Sequence, residues 1–370
     1  MTALHLTGPV LRGPDDVLPE LWVIDGRVTF ESPVRRSWDM QTIDGWVLPG
    51  LVDAHCHVGL ESHGAVSDEQ ALQHALSERD AGVLLMRDAG SPADTRWIQH
   101  RADLPRLIRA GRHIARTKRY LRNYAHEIEP ERLVDYVRRE ARSGDGWVKL
   151  VGDWIDRETG DLSPCWPVED LLEAVEAAHS EGARVTAHCF GEQVLHDFAT
   201  AGTDCIEHAT GLTEDTIDLF AAQQIAIVPT LVNIANFPAF ADAGESKFPA
   251  YAAHMRDLHA RRFQTIAQAR EAGIPVYVGT DAGGQLPHGL AAREIEALTQ
   301  AGFSAVEALG AATWSARAWL GFPGIVEGGP ADLVVLRDDP RRDVRTVADP
   351  RCVILRGTTY APADSADGAA

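Results

Sequence analysis

The sequence predicts an α/β protein: a (β/α)8 TIM barrel carrying a small β-sandwich built from its two ends. Three observations carry that expectation. From about residue 48 the chain repeats one phrase, in which a short apolar strand, a loop and a helical stretch end on a Gly that closes the helix. Alternating strands and helices demand a parallel sheet with right-handed crossovers, and about eight repeats close a barrel. An open doubly wound sheet would need a Gly-rich phosphate loop after the first strand, and V-D-A-H-C-H-V-G is not one.

The elements follow in order. Residues 1–47 contain L-W-V-I-D-G-R-V-T-F, a hairpin that turns at Asp25-Gly26, and residues 325–362 contain A-D-L-V-V-L-R and R-C-V-I-L-R-G. Neither segment buries a core alone, so the two are expected to meet in one β-sandwich. The barrel is expected over 48–324, with strands near 48–55, 83–88, 106–110, 147–151, 184–188, 204–208, 225–229 and 275–280. Between the first two, Ser67 is a capping residue, Ala71, Leu72, Ala75 and Leu76 share a helix face, and Gly82 ends it. Residues 363–370 lack the apolar content to pack and are expected to be a disordered tail.

Composition narrows the function. A net charge of -19 disfavours nucleic acid or an anionic membrane surface as a partner, which leaves small molecules and possible homo-oligomers. The start of the chain has no basic-then-apolar leader, so a cytoplasmic location is expected. The 5 cysteines show no C-x-x-C spacing, which makes reduced thiols the default.

Barrel enzymes keep their chemistry at the C-terminal ends of the strands. The first strand ends in His55-Cys56-His57, and residues two apart on a strand share a face, so both imidazoles can address one ion. The fifth strand ends at His188, the sixth at His208, and the eighth in G-T-D with Asp281. One such residue alone is more often a hydrogen-bonded core group. Together they are a donor set suited to a borderline divalent ion such as zinc.

Lys149 lies in the middle of the apolar stretch W-V-K-L-V-G-D, where an unpaired ammonium is costly. A carbamate made from its amine and CO2 would be an anion able to bridge two cations. A lysine that snorkels to water at the barrel mouth is the alternative.

On the motifs L-P-G-L-V-D-A-H-C-H, V-K-L, V-T-A-H-C-F-G, C-I-E-H-A-T-G, G-T-D-A-G-G and E-G-G-P-A-D-L-V-V-L, the chain resembles the amidohydrolase superfamily. It is most similar to the imidazolonepropionase-like enzymes, in particular the lysine-containing branch that includes Xaa-Pro dipeptidases. The resemblance implies two divalent ions: His55, His57 and Asp281 hold the more buried one, His188 and His208 the more exposed one, and carbamylated Lys149 bridges them. Deaminases of the superfamily carry H-x-x-E after the fifth strand, whereas Glu192 here comes one place too late, so deamination is disfavoured. Relatives often have a Gly-Gly-His-type segment after the third strand, and G-R-H-I-A-R-T-K-R-Y departs from it.

The expected reaction is hydrolysis of an amide, peptide or N-acyl amino acid C-N bond, with Asp281, Lys149 and His208 as the catalytic set and Asp281 moving the proton. The basic and aromatic run after the third strand supplies the expected substrate contacts Arg119, Tyr120, Arg122 and Tyr124, joined by His288 after the eighth. A cation there would suit a carboxylate-bearing substrate. The Phe-rich stretch after the seventh strand, with Phe237, Phe240 and Phe248, is read as a lid or an interface. A lactonase or phosphotriesterase would share the metal centre, and a metal-free lyase would use Lys149 as a Schiff base.

Overall fold

The structure, a computed structural model, describes residues 3–33 and 40–360. The disordered tail expected at 363–370 lies outside them. Parallel strands Leu51–Glu61, Val83–Asp88 and Arg106–Arg109 form one arc of a barrel, and Trp147–Val151, Arg184–Cys189, Cys205–His208 and Ala226–Val228 form the other. The eighth position closes the ring. There Val276 bridges Ile227, and the Ala54 amide donates to the Val278 carbonyl at 2.8 Å. Gly279 permits this closure, because a Cβ at that position would lie 2.7 Å from the His55 Cβ and 2.3 Å from Val228 Cγ1.

The helices obey local rules read in the sequence. Ser67 caps Asp68–Asp80 by accepting from the Gln70 amide, Ala71 and Ala75 are buried on its inner face, and Gly82 follows at φ 88°. Val168–Ser180 and Leu195–Ala201 likewise end before Gly182 and Gly202, both left-handed.

Two strands differ from expectation. The first runs on to Glu61, because the chain past His57 stays buried and pairs with Gly64–Ala65. The third breaks at Arg109 and resumes at Ile114–Arg116, with Gly111 at φ 73° in the break. Its first piece pairs with the second strand and its second piece with the fourth.

The ends of the chain meet as expected. Trp46–Pro49 pairs with Leu333–Leu336 in the register Val47 to Val335, inside a mixed sheet of 8 strands that also holds Ala3–Leu11, Val17–Ile24 and Cys352–Leu355. Asp25 and Gly26 turn the predicted hairpin with φ 48° and 79°, the left-handed pair that a two-residue type I′ turn requires. Leu6, Leu21, Val47, Val335 and Ile354 fill its core. Among the described residues no helix is long and apolar enough to cross a membrane.

Candidate metal centre

Strand ends place the donors together at the barrel mouth. His55 Nε2 and His57 Nε2 lie 3.2 Å apart, and Asp281 Oδ1 is 3.1 Å from the first and 2.9 Å from the second. Ligand atoms about 2.0–2.1 Å from one ion are roughly 3 Å from each other, so this spacing fits a coordination shell. His55, His208 and Asp281 form a candidate metal-binding cluster, with one ligand atom from each within 4.8 Å of the others. The His188 ring is centred 4.7 Å from that of His208. Lys149 is 1% exposed on Trp147–Val151, the strand that flanks that of His188, and its Nζ has no hydrogen-bond partner.

The protonation states suit a cation. Burial lowers the pKa of His57, His188 and His208, which leaves their imidazoles neutral with lone pairs to offer. Burial pushes the Asp281 carboxyl up, but the surrounding imidazoles, His55 first, outweigh it and hold the group well below the usual carboxylate range. An ionised carboxylate beside neutral imidazoles is what a divalent ion needs.

A layer of supporting groups aims the donors. The His57 Nδ1–H donates to the Gly90 carbonyl at 2.7 Å, which frees Nε2. His208 Nδ1 pairs with the Thr230 hydroxyl at 2.7 Å, and the Asn233 amide donates to Asp281 Oδ2 at 2.6 Å. Glu207 Oε2 is 2.8 Å from His55 Nδ1, though not aligned as a hydrogen bond, while its Oε1 accepts from Arg87 at 2.7 Å. His208, Thr230 and Asp281 all sit at positive φ, 68°, 47° and 59°. Each such residue costs about 1–3 kcal/mol, and strain of this kind gathers where function over-determines geometry.

Beside this cluster lies a cavity of about 250 Å³, whose walls include Tyr120, Tyr124, Trp154, Phe190, Phe240 and Tyr251. Two of the expected substrate contacts, Tyr120 and Tyr124, therefore face it. Three do not. The Arg119 guanidinium is taken up by Asp156 Oδ2 at 3.0 Å, the Trp154 carbonyl at 2.9 Å and Ser163 at 2.8 Å, so it braces the hairpin formed by Asp153–Ile155 and Leu162–Pro164. Arg122 is exposed and outside the lining. The His288 side chain stacks on His74 at 4.4 Å between ring centroids and bonds Glu78 at 2.9 Å.

Two site residues escaped the sequence reading. His113, in the G-R-H segment set aside as a departure, is buried at the break in the third strand and stacks on His57 at 4.9 Å, with neither ring nitrogen partnered. Its signal was a histidine just past a strand end. Asn233 had no such signal, because only the folding of the Phe-rich stretch into helices Leu231–Ile234, Phe237–Gly244 and Pro249–Glu271 aims its amide at Asp281. In that stretch Phe237 is core, packed on Phe190 at 4.7 Å, and Phe240 lines the cavity. All 5 cysteines are free and buried.

Glu192, the residue one place late for a deaminase, turns away from the centre to His254 at 2.9 Å and to Arg261. His254 also bonds Asp161 at 3.0 Å, tying the long helix to the segments that carry Asp161 and Glu192. Glu192 and then Asp161 raise its pKa to about 9. Since the folded value exceeds the unfolded one of about 6.5, the tie is fully present below pH 6.5 and is lost as pH rises through 9. We expect His254→Gln to abolish that alkaline loss, seen as a flatter slope of urea stability between pH 7 and 10. An unchanged slope would remove His254 as its source.

Imidazoles and a carboxylate converging at the C-terminal mouth of a parallel barrel define a metal-dependent hydrolase acting on C-N or related bonds. The chain belongs to the amidohydrolase family, whose sequence model matches residues 46–359. It is 54% identical to an uncharacterised protein of Mycobacterium tuberculosis over 360 residues, 97% of this chain and 96% of that one. It is 27% identical to ochratoxinase of Aspergillus niger over 225 residues, 59% of this chain and 46% of the other. Among solved structures it resembles a Xaa-Pro dipeptidase with methionine bound in the active site, with a TM-score of 0.81, 23% identity, and 97% and 100% of the two chains covered.

Proposed function

We propose that the protein is a binuclear metal-dependent amidohydrolase that cleaves an amide-type C-N bond of a small molecule. One observation carries this reading: a buried, unpartnered lysine amine near His57, His188, His208 and Asp281. His55, His57 and Asp281 would hold one divalent ion, for which zinc suits the donors, and His188 and His208 the other. Lys149, as a carbamate, would lie between them. Burial lowers the pKa of the Lys149 ammonium, favouring the neutral amine whose nitrogen bonds the carbon of CO2 and releases a proton.

When bound, the ions supply an ionised water and polarise the scissile carbonyl. The remaining steps belong to the chain. The Asp281 carboxylate, steadied at Oδ2 by Asn233, takes the proton from the attacking water and hands it to the departing nitrogen, acting first as base and then as acid. The aromatic walls keep bulk water from the reacting bond.

Elemental analysis together with a panel of N-acyl amino acids, dipeptides, anilides, lactams and lactones tests the proposal. The expected result is two equivalents of divalent metal per chain and amide hydrolysis that chelation abolishes and Zn2+ restores. Full activity with one equivalent sinks the binuclear reading, and activity confined to lactones sinks the amide assignment.

A further inference from the structure

We infer that the group the cavity accepts is uncharged and aromatic, so that the preferred substrates are neutral aryl amides and not carboxylate-bearing dipeptides or N-acyl amino acids. This deepens the hydrolase reading above and rests on it. The cavity is walled by rings in contact with one another: Tyr120 meets Trp154 edge to face at 4.8 Å, and Trp154 and Phe190 approach His188 at 5.5 and 4.2 Å. An apolar cavity of about 150 Å³ takes up benzene. The volume here, about 250 Å³, leaves room for one ring and the adjoining amide.

Charge argues the same way. Among the described residues no Lys or Arg lines the cavity, and the one carboxylate in its wall is Asp281. The cation nearest in sequence to Tyr120 is Arg119, whose Nη1 donates to Asp156 and whose Nη2 donates to the Trp154 carbonyl and Ser163, away from the cavity lining. A substrate carboxylate placed among these rings would be desolvated with no counter-ion. If it turned to the centre instead, it would occupy the place of the scissile carbonyl and behave as an inhibitor. Asn233 and the tyrosine hydroxyls offer hydrogen bonds of the kind a neutral amide uses.

The test compares 4-acetamidoacetophenone with 4-acetamidobenzoate, which share ring, bond and shape but differ in charge, and the matching pair substituted on the benzoyl side. On the metal-loaded enzyme, kcat/KM for the better neutral compound should exceed that of its acid by roughly 100-fold, mainly through KM. Leu121→Arg, which adds a guanidinium at the exposed rim of the cavity, should shrink that ratio at least about tenfold. Titration calorimetry on the full chain after chelation gives a second readout, free of carboxylate binding to metal, in which the neutral compound binds and the acid does not. An acid that is turned over or bound as well as its neutral partner overturns the inference, as does a ratio unmoved by the new arginine. If the neutral compounds bind but no amide in either pair is cut, the cavity assignment stands and the hydrolase reading fails.

Discussion

Lys149→Met is expected to lower kcat by at least about 10³-fold and to bring the metal content below two equivalents, while the metal-free protein becomes no less stable. The two halves of that result have one cause. The amine is buried without a partner, so in the absence of ions and carbamate it is a desolvated polar group that contributes nothing to folding. A thioether of similar length fills the same space without that penalty. In the proposed centre catalysis would lose the bridging anion, and a clamp of two cations contributes several kcal/mol to a transition state, each 1.36 kcal/mol being about tenfold in rate. Thermal unfolding of the chelated variant, metal analysis and single-substrate kinetics read the three quantities. An active Lys149→Met enzyme would end the carbamate proposal, and a strongly destabilised one would mean that the amine has a partner in the fold.

Glu207→Gln should cost about 3–5 kcal/mol in urea unfolding, because it removes the counter-charge of a buried guanidinium. Arg87 and Glu207 are both wholly buried, 2.7 Å apart at Nη2 and Oε1, and Arg87 also bonds the Ala54 carbonyl at 2.7 Å and lies 4.4 Å from the Trp147 ring. Burial raises the Glu207 carboxyl, yet Arg87 and then His55 outweigh it and hold the group well below the usual carboxylate range. It therefore stays charged at neutral pH, and its neutral replacement leaves Arg87 uncompensated. The same change removes the negative charge 2.8 Å behind His55 Nδ1, so metal affinity should fall as well. Glu181→Gln is the control. Its partner Arg142 is largely exposed, and the loss there should stay within about 1 kcal/mol. Equal losses in the two variants would contradict the argument from burial.

The sequence by itself was enough for the parallel barrel, the sheet its two ends share, and His55, His208 and Asp281, which form the candidate metal cluster at the mouth. That legibility has a local origin. Strand alternation puts His55 and His57 on one face, and a repeated βα unit puts His188, His208 and Asp281 at strand ends with Lys149 two residues deeper, level with Thr186, so no distant contact had to be known. The same holds for Asp25-Gly26, whose turn type follows from the two residues in it.

What the sequence could not decide were the partners of flexible polar side chains. Arg119 looked available because its run is basic, but a hairpin more than thirty residues later in the chain supplies the acceptors that consume it. Asn233 looked incidental until helix packing carried it to Asp281, and His113 until a break in the third strand turned it onto His57. Backbone periodicity is short-ranged and written in consecutive residues, whereas the charge and shape of a cavity are sums over segments that meet only when the chain has folded.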